Sequence, residues 1–405
     1  MSGPLLLILA VAVAYLAAHV AFDWLARRFL IVSGAEYLVL GILLGPQIAN
    51  VLSSDVMEGF SPLITLSLGW VGAIVGTQFH IRSLVRVRAL SYRVAFGEAL
   101  LTLTFVGLVE FAVMHFWLGM PDWEGVAPAV ALGAIAAVSA PAGIGVVARH
   151  LGRRVALLRQ LELTTAIDAL VGIVAIGVLL ALRHPGHVAL ARPVTATEWV
   201  VISLAIGVVG GALFELFLGR ERDEDRLFIS LAGAIILTSG AAVFLHLSPI
   251  FTAMVMSATL VNLSPNREEI VRTLHASERP FYFVLLIFAG ASWEPSLRAW
   301  VIPVVLYLIA RAMSKTGGAR LAARLTNTLP ALGMHWGRAL IGQGPLALAL
   351  GLEYLRHPGA IVPSIVFTAA IAAVLLLDFG SAWLIHSAVA PLEKDQRTAP
   401  EGATS

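Results

Sequence analysis

The sequence predicts an all-α polytopic membrane protein. Hydrophobic residues make up 59% of its 405 residues, charged residues only 13%, and the mean hydropathy is +0.88, far above the values of soluble globular proteins. Thirteen apolar segments are long enough to cross about 30 Å of hydrocarbon. The basic residues alternate between successive connections, as expected when those connections lie on opposite sides of a bilayer.

Thirteen membrane-spanning helices are predicted in the order of these segments. Their approximate bounds are 3–22, 31–52, 60–79, 91–118, 126–148, 158–182, 198–219, 227–244, 248–263, 280–293, 297–323, 336–355 and 361–388. Gly and Pro interrupt segment 5 at Ser139-Ala140-Pro141-Ala142-Gly143 and segment 12 at Gly342-Gln343-Gly344-Pro345. We therefore expect these two helices to be broken near the middle of the membrane.

The positions of Lys and Arg predict the orientation of the chain. The connections after odd-numbered segments, together with the C-terminal tail, hold nearly all of them. Four lie in the opposite set of connections, namely Arg183, Arg192, Arg298 and Arg356. Because cytoplasmic loops carry the basic excess, the N-terminus is predicted outside and the C-terminus inside.

The predicted organisation is one transmembrane domain over residues 1–390 and a short cytoplasmic tail over 391–405. Two six-helix repeats, about 1–185 and 227–390, flank a linker helix at about 198–219. Since segments 1 and 8 start on opposite sides of the bilayer, the repeats are expected to be inverted, with the interrupted helices 5 and 12 crossing. The first apolar stretch lacks a preceding basic region, which favours a retained helix over a signal peptide.

Two cations lie within apolar segment 11, Arg311 and Lys315. A charge at mid-bilayer costs roughly 2.5–3.5 kcal/mol even on the lenient insertion scale, so it needs a partner or a task. Asp168 is the expected partner, because it lies about ten residues into segment 6 and therefore close to mid-membrane. A structural ion pair is the alternative interpretation of Asp168 and Lys315.

Other acids in apolar segments are interpreted as structural, through hydrogen bonds between helices or contact with the interface. They are Glu98, Glu110, Glu215, Glu353 and Asp378. The absence of cysteine excludes disulfides and thiolate metal sites. No nucleophile and base pair stands out in the apolar segments, and the basic residues do not form a nucleic-acid-binding face. An enzyme, a cofactor and a nucleic-acid partner are therefore not expected.

Four stretches resemble signature regions of the cation/proton antiporter superfamily, with the sodium/proton exchanger fold and closest to the monovalent cation:proton antiporter 2 type. They are Glu36 to Pro46, Leu247 to Ser264, Gln343 to Leu348, and Lys315-Thr316-Gly317-Gly318 followed by Ala323-Arg324-Leu325. These stretches follow the family's order and lie on the corresponding helices. The resemblance covers nearly the whole chain.

The resemblance implies that Asp168 is the carboxylate that binds either a cation or a proton beside the crossing. Hydroxyl and amide oxygens close to it in sequence or at the two breaks are candidate further ligands of a transient Na⁺ or K⁺. These are Thr164, Thr165, Ser139 and Gln343. Carbonyls at the breaks are expected to be freed by Pro141, Gly143, Gly344 and Pro345. Lys315 and Arg311 would compensate the charge of the helix ends that meet there.

The sequence departs from the family pattern at Ile167, where many relatives carry a first Asp or an Asn before the essential carboxylate. Lys315 therefore needs another partner, either Asp168 itself or Glu162. The missing carboxylate favours one-for-one exchange. The segment that begins at Gln343 lacks the Glu of the potassium-efflux branch, which weakens an assignment to potassium efflux.

The predicted function is a secondary antiporter that exchanges a monovalent cation, Na⁺ rather than K⁺, for protons by alternating access. Family analogy predicts a homodimer in contact with membrane lipids, located as a multi-pass protein in the inner (plasma) membrane. Two alternatives stay open at this stage: a sodium-coupled organic-anion symporter of the same fold, and a non-transporting membrane sensor whose Ile167 marks a decayed ion site.

Overall fold

A computed structural model describes residues 34–140, 156–185, 194–218, 223–294, 300–377, 383–385 and 387–388. Within these ranges the chain is helical and contains no β-strand, as the composition predicts. Segment 1, the whole C-terminal tail (391–405), and the predicted site residues Pro141 and Gly143 lie outside the described residues.

Sixteen α-helices and one short 3₁₀ helix make up the described part of the chain. The first eight α-helices are α1 (Ala35–Leu44), α2 (Ser54–Gly59), α3 (Ser61–Gly76), α4 (Ile81–Leu84), α5 (Ala89–Phe116), α6 (Asp122–Ala137), α7 (Ala156–Leu182) and α8 (Ala196–Leu218). The others are α9 (Glu224–Phe244), α10 (Pro249–Leu263), α11 (Arg267–Ala276), α12 (Glu278–Ala291), α13 (Val301–Leu325), α14 (Leu329–Leu332), α15 (Pro345–Arg356) and α16 (Pro363–Leu377). The 3₁₀ helix spans Trp336–Leu340.

Each of the predicted segments 2 to 13 coincides with a described helix. Sequence reasoning did not predict the short helices α2, α4, α11 and α14, which lie in connections between the apolar segments. α11 begins with charged residues and buries only Ile270, Thr273 and Leu274, which is the pattern of a helix half exposed at a surface. The orientation of the chain, the number of spans and the inverted repeats stay predictions.

In segment 12 both sides of the predicted break are described, whereas in segment 5 only the end of the first helix is, since residues 141–155 lie outside the described ranges. α6 ends at Ala137 because Val138 adopts an extended conformation, with φ −67° and ψ 128°. The second break separates the 3₁₀ helix from α15, which begins at Pro345, a residue whose ring suits the first turn of a helix. The two extended stretches meet where the Ala140 N–H donates to the Gly342 carbonyl at 3.0 Å.

The longer helices pack into two groups. The core group contains α5, α6, α7, α13, α15 and α16, and the flanking group contains α1, α3, α8, α9, α10 and α12. Glycine allows close backbone contact within each group: a Cβ at Gly133 would lie 2.4 Å from the Leu103 carbonyl oxygen, and one at Gly72 would lie 2.2 Å from that of Ile250. Such small-residue contacts are the usual means of packing helices in a membrane.

Candidate functional site: two buried carboxylates around Lys315

Lys315, in the middle of α13, is the centre of a fully buried polar cluster. Its ammonium nitrogen lies 2.9 Å from Asp168 Oδ2 on α7, 3.1 Å from the carboxylate of Glu98 on α5, and 2.6 Å from the carbonyl oxygen of Ala137. Both carboxylates are also fully buried. The long helices α5, α7 and α13 hold all three side chains on regular, continuous backbone, so their positions are fixed by packing.

The cluster has an uneven charge count, with two carboxylates and one ammonium. If both acids are ionised it carries an excess negative charge, which is costly away from water. Asp168 Oδ1 is moreover buried and has no hydrogen-bond partner in the described part of the chain. Either a proton or a bound cation would remove the imbalance.

Ser139 connects Asp168 to the crossing of the two broken helices. Its hydroxyl lies 2.7 Å from Asp168 Oδ2 and 3.1 Å from the Leu340 carbonyl oxygen. Ser139 belongs to the extended stretch after α6, and Leu340 ends the 3₁₀ helix of the other broken segment. The predicted ligand Ser139 is therefore in direct contact with the predicted carboxylate.

Arg311, one turn before Lys315 on α13, binds backbone carbonyls of both breaks. Its guanidinium donates to the carbonyl of Ala136 and, at 2.9 Å, to that of Val138. It also lies 3.2 Å from the carbonyl oxygens of Ile341 and Gly342. These carbonyls lack helical partners because the helices stop there, and a cation suits the negative end of a helix dipole.

Gln343 lies where the two extended stretches meet. Its amide forms hydrogen bonds with a backbone carbonyl of α6 and with a tyrosine hydroxyl, and among the described residues it forms none with Asp168. Nε2 donates to the Ile135 carbonyl at 2.6 Å and lies 3.1 Å from the Tyr307 hydroxyl. Gly344 passes close to Ala140, whose Cβ would lie 3.3 Å from a Cβ at position 344. Pro345 then starts α15.

The hydroxyls of Thr164 and Thr165 are directed to their own helix. Thr164 donates to the Gln160 carbonyl at 2.8 Å, and Thr165 donates to that of Glu162 at 3.0 Å. Within the described residues neither hydroxyl forms a hydrogen bond with Asp168. A threonine inside a helix commonly satisfies its hydroxyl through the preceding turn, which explains this arrangement.

Glu98 is the main residue that sequence reasoning left out of the site. The sequence offers several acids in apolar segments and gives no local signal that separates Glu98 from the rest; the only hint is Thr102 one turn later, whose hydroxyl donates to Glu98 at 2.9 Å. Glu162, considered as a partner of Lys315, is instead exposed. Glu98 contacts Lys315 because α5 packs against α13.

The arrangement of a buried acid pair, a lysine and two crossed helix breaks agrees with a comparison against known protein families. The model of the family described as "Sodium/hydrogen exchanger, transmembrane" matches residues 37–384. The chain belongs to the sodium/hydrogen exchanger family. This is a family of membrane antiporters, so the resemblance seen in the sequence is confirmed.

Solved structures of a second sodium/hydrogen exchanger show the same fold. The sodium proton antiporter MjNhaP1 from Methanocaldococcus jannaschii, in a structure at pH 8, superposes with a TM-score of 0.66 at 17% sequence identity, covering 96% of this chain and 97% of that one. An electron-microscopy map of the same antiporter gives a TM-score of 0.62 at 19% identity with full coverage of both chains. No curated protein sequence matches this exchanger significantly.

Proposed function

We propose that the protein exchanges Na⁺ for protons across the membrane, with Asp168 as the residue that carries either ion. The observation that carries the proposal is the sharing of Lys315 between two fully buried carboxylates, at 2.9 and 3.1 Å, beside the crossed helix breaks. One lysine balances one carboxylate. The second carboxylate must then hold a proton or a monovalent cation whenever the site is closed to water.

Asp168 is the better candidate for the exchanging residue. Its Oδ1 lacks a protein partner among the described residues, whereas Glu98 accepts from both Thr102 and Lys315. Ser139 provides a hydroxyl oxygen next to Asp168, and hard monovalent cations prefer such oxygen ligands. Na⁺ and the proton would therefore compete for the same carboxylate, which is the minimum requirement of an exchanger.

Glu98 and Lys315 form an ion pair that can persist through the cycle. In this proposal Glu98 compensates for Ile167, where a carboxylate is absent. Asp168 would then be the residue that exchanges a bound proton for Na⁺, without help from Glu98 or Lys315. One Na⁺ would move for each proton, so no net charge would cross the membrane. Movement of the core group against the flanking group would expose Asp168 to one side at a time.

Lipid contact and dimer formation are parts of the same proposal. Exposed apolar side chains along α8, such as Val201, Val208 and Leu216, suit either acyl chains or a second copy of the chain. Together with the resemblance to exchangers, this supports a homodimer in the plasma membrane. Mass measurement of the protein in a lipid nanodisc would distinguish one copy from two.

Proton flux into proteoliposomes tests the exchange. We expect Na⁺ to drive flux more strongly than K⁺, the Asp168→Asn variant to lose it, and an imposed membrane potential to leave the wild-type rate unchanged. Glu162→Gln is the matched control, because it removes an exposed carboxylate from the same helix. Full Na⁺-driven flux in folded Asp168→Asn protein would refute the assignment.

A further inference from the structure

Another buried carboxylate, that of Glu353, joins the two helix groups. It lies near the end of α15 in the core group and is only 4% exposed. Glu353 Oε1 accepts a hydrogen bond from Ser248 Oγ at 2.7 Å and another from the Ile250 N–H at 3.2 Å. Ser248 is the N-cap residue of α10 in the flanking group, and Ile250 lies in its first turn. The carboxylate thus caps a helix N-terminus that belongs to the opposite group.

Three more polar contacts connect the two groups around Glu353. Arg356 donates to Ser61 Oγ at 2.5 Å. A ring nitrogen of His357 lies 3.0 Å from the His246 carbonyl oxygen, and one of His184 lies 2.8 Å from the Leu245 carbonyl oxygen. We call this region, defined by His184, His246 and His357, the histidine end of the molecule. The charge pattern of the loops predicts that it faces outside.

A half-open cavity of about 100 Å³ lies between the groups at the histidine end. Glu353, His246 and His357 line it, with Thr65 and Leu68 of α3 on the opposite wall. This volume has room for several water molecules. The second oxygen of Glu353, Oε2, is buried and has no hydrogen-bond partner in the described part of the chain. When the groups are in contact, Oε1 therefore has two donors from the described residues and Oε2 has none.

Other groups facing the cavity do not explain a response to pH near neutrality. His357 is held neutral: burial lowers its pKa to about 4, and its Nδ1 accepts from the Gly359 N–H. Arg356 also lines the cavity, and a guanidinium is not deprotonated in proteins. Thr65, Leu68, Val243 and Pro249, from α3, α9 and α10, do not titrate. His246 is the remaining titratable residue of the lining; it and His184, whose ring lies 6.0 Å from that of His246, serve as controls below.

We propose that Glu353 is a second proton-binding site, whose protonation holds the histidine end closed and whose ionisation lets the two helix groups separate there. An ionised Glu353 carboxylate is costly in the closed state, because Oε2 there is buried and lacks a hydrogen-bond donor from the described residues. In the open state water would hydrate it. Closing therefore takes up a proton, and rising pH shifts the equilibrium towards opening. The opening would serve the proposed exchange, but it does not depend on ions being transported.

Cysteine labelling tests the proposal, because the natural chain contains no cysteine. Leu68, which is 3% exposed on the cavity wall, is changed to Cys and labelled with a charged thiol reagent in nanodiscs, in choline buffer from pH 6 to 9. The same Cys in a Glu353→Gln background is the matched reference for the reactivity of the thiol itself. The labelling rate with Glu353 present, divided by the rate in the Glu353→Gln background, should rise with pH. We expect this ratio to rise on the order of tenfold for each unit by which the pKa of the Glu353 carboxyl group is higher in the closed state than in the open state.

Three further variants separate Glu353 from its neighbours. His246→Asn should keep the pH response, and Asn tolerates the positive φ of 51° found at this position. Ser248→Ala keeps the titrating carboxylate but removes a donor, so the midpoint of opening should move to lower pH. A similar check with His184→Asn covers the other histidine.

The outcomes are distinct from those of the exchange assay. A constant ratio between wild type and Glu353→Gln across the pH range would overturn the proposal, as would loss of the response in His246→Asn or His184→Asn. In an Asp168→Asn background the difference between Glu353 and Glu353→Gln should persist, because that difference reports on Glu353. If labelling responds to pH through Glu353 while Na⁺-driven flux is absent, the proposed function fails and this inference stands.

Discussion

At the scale of single residues, Lys315 is the side chain on which the buried cluster depends. It compensates Asp168 and Glu98 and also donates to the Ala137 carbonyl at the end of α6. Removing one partner of a buried ion pair is costly because the other charge stays behind. The same principle predicts that removing a second charge restores part of the loss.

Lys315→Met should therefore lower the stability of the protein by about 3–5 kcal/mol. The double variant Lys315→Met with Glu98→Gln should be more stable than Lys315→Met alone, because one uncompensated carboxylate is gone. Thermal unfolding of the wild type, both single variants and the double variant in detergent gives the coupling between the two residues. Additive losses would show that Glu98 and Lys315 do not interact.

His357 makes a second prediction at this scale. Its pKa is lowered to about 4 in the folded protein, mainly by burial, from an ordinary value of 6.5. The folded state therefore disfavours the protonated ring, and stability present above pH 6.5 is lost as the pH falls towards 4. The melting temperature should fall over this range in the wild type and less in His357→Asn. His275→Asn, at an exposed position on α11, is the control; equal acid sensitivity of wild type and His357→Asn would contradict the prediction.

At the scale of helices, the two breaks are what the sequence predicted best. Gly and Pro at 139–143 and 342–345 indicate them directly, because proline cannot continue a helical ladder and glycine permits unusual backbone. The partners at the breaks were less predictable. Gln343 was expected to be a ligand of the ion. Its amide instead forms hydrogen bonds with the Ile135 carbonyl and the Tyr307 hydroxyl. Sequence spacing places a residue on a segment, but contacts between segments decide what its side chain meets.

Arg311 binds backbone carbonyls on both broken segments. It contacts four carbonyl oxygens, two on each broken segment, and a planar guanidinium can do this where a lysine ammonium cannot. Arg311→Lys keeps the charge but should lose several of these bonds, and we expect a lower melting temperature and slower exchange. Arg320→Lys, at a half-buried position on the same helix where Nε donates to the single carbonyl of Met334, provides the comparison. An unchanged melting temperature in Arg311→Lys would show that a positive charge, without the several hydrogen bonds of the guanidinium, is enough to stabilise the two broken segments.

At the scale of the whole molecule, composition and loop charges were enough to predict a helical membrane protein with helices at the observed positions. The division into a core group and a flanking group was not predictable, because it depends on which apolar faces pack together. Glu98 illustrates the same limit: the identity of its partner follows from the packing of α5 against α13. Because of Ile167, the sequence predicted Asp168 or Glu162 as the partner of Lys315. Asp168 lies 2.9 Å from the ammonium, Glu162 is exposed, and packing adds Glu98, which was not predicted.

Asp168 lies between Ser139, at the end of the first break, and the Glu98–Lys315 pair, and in the proposed function it is the exchangeable carboxylate. The central claim is that this carboxylate holds either a proton or a cation. The most direct test is calorimetric titration with Na⁺ in buffers of different ionisation enthalpy, which counts the protons released for each ion bound. We predict up to one proton released per Na⁺ in the wild type, and neither binding nor release in Asp168→Asn. Na⁺ binding without proton release at any pH, or release that persists in Asp168→Asn, would contradict the account.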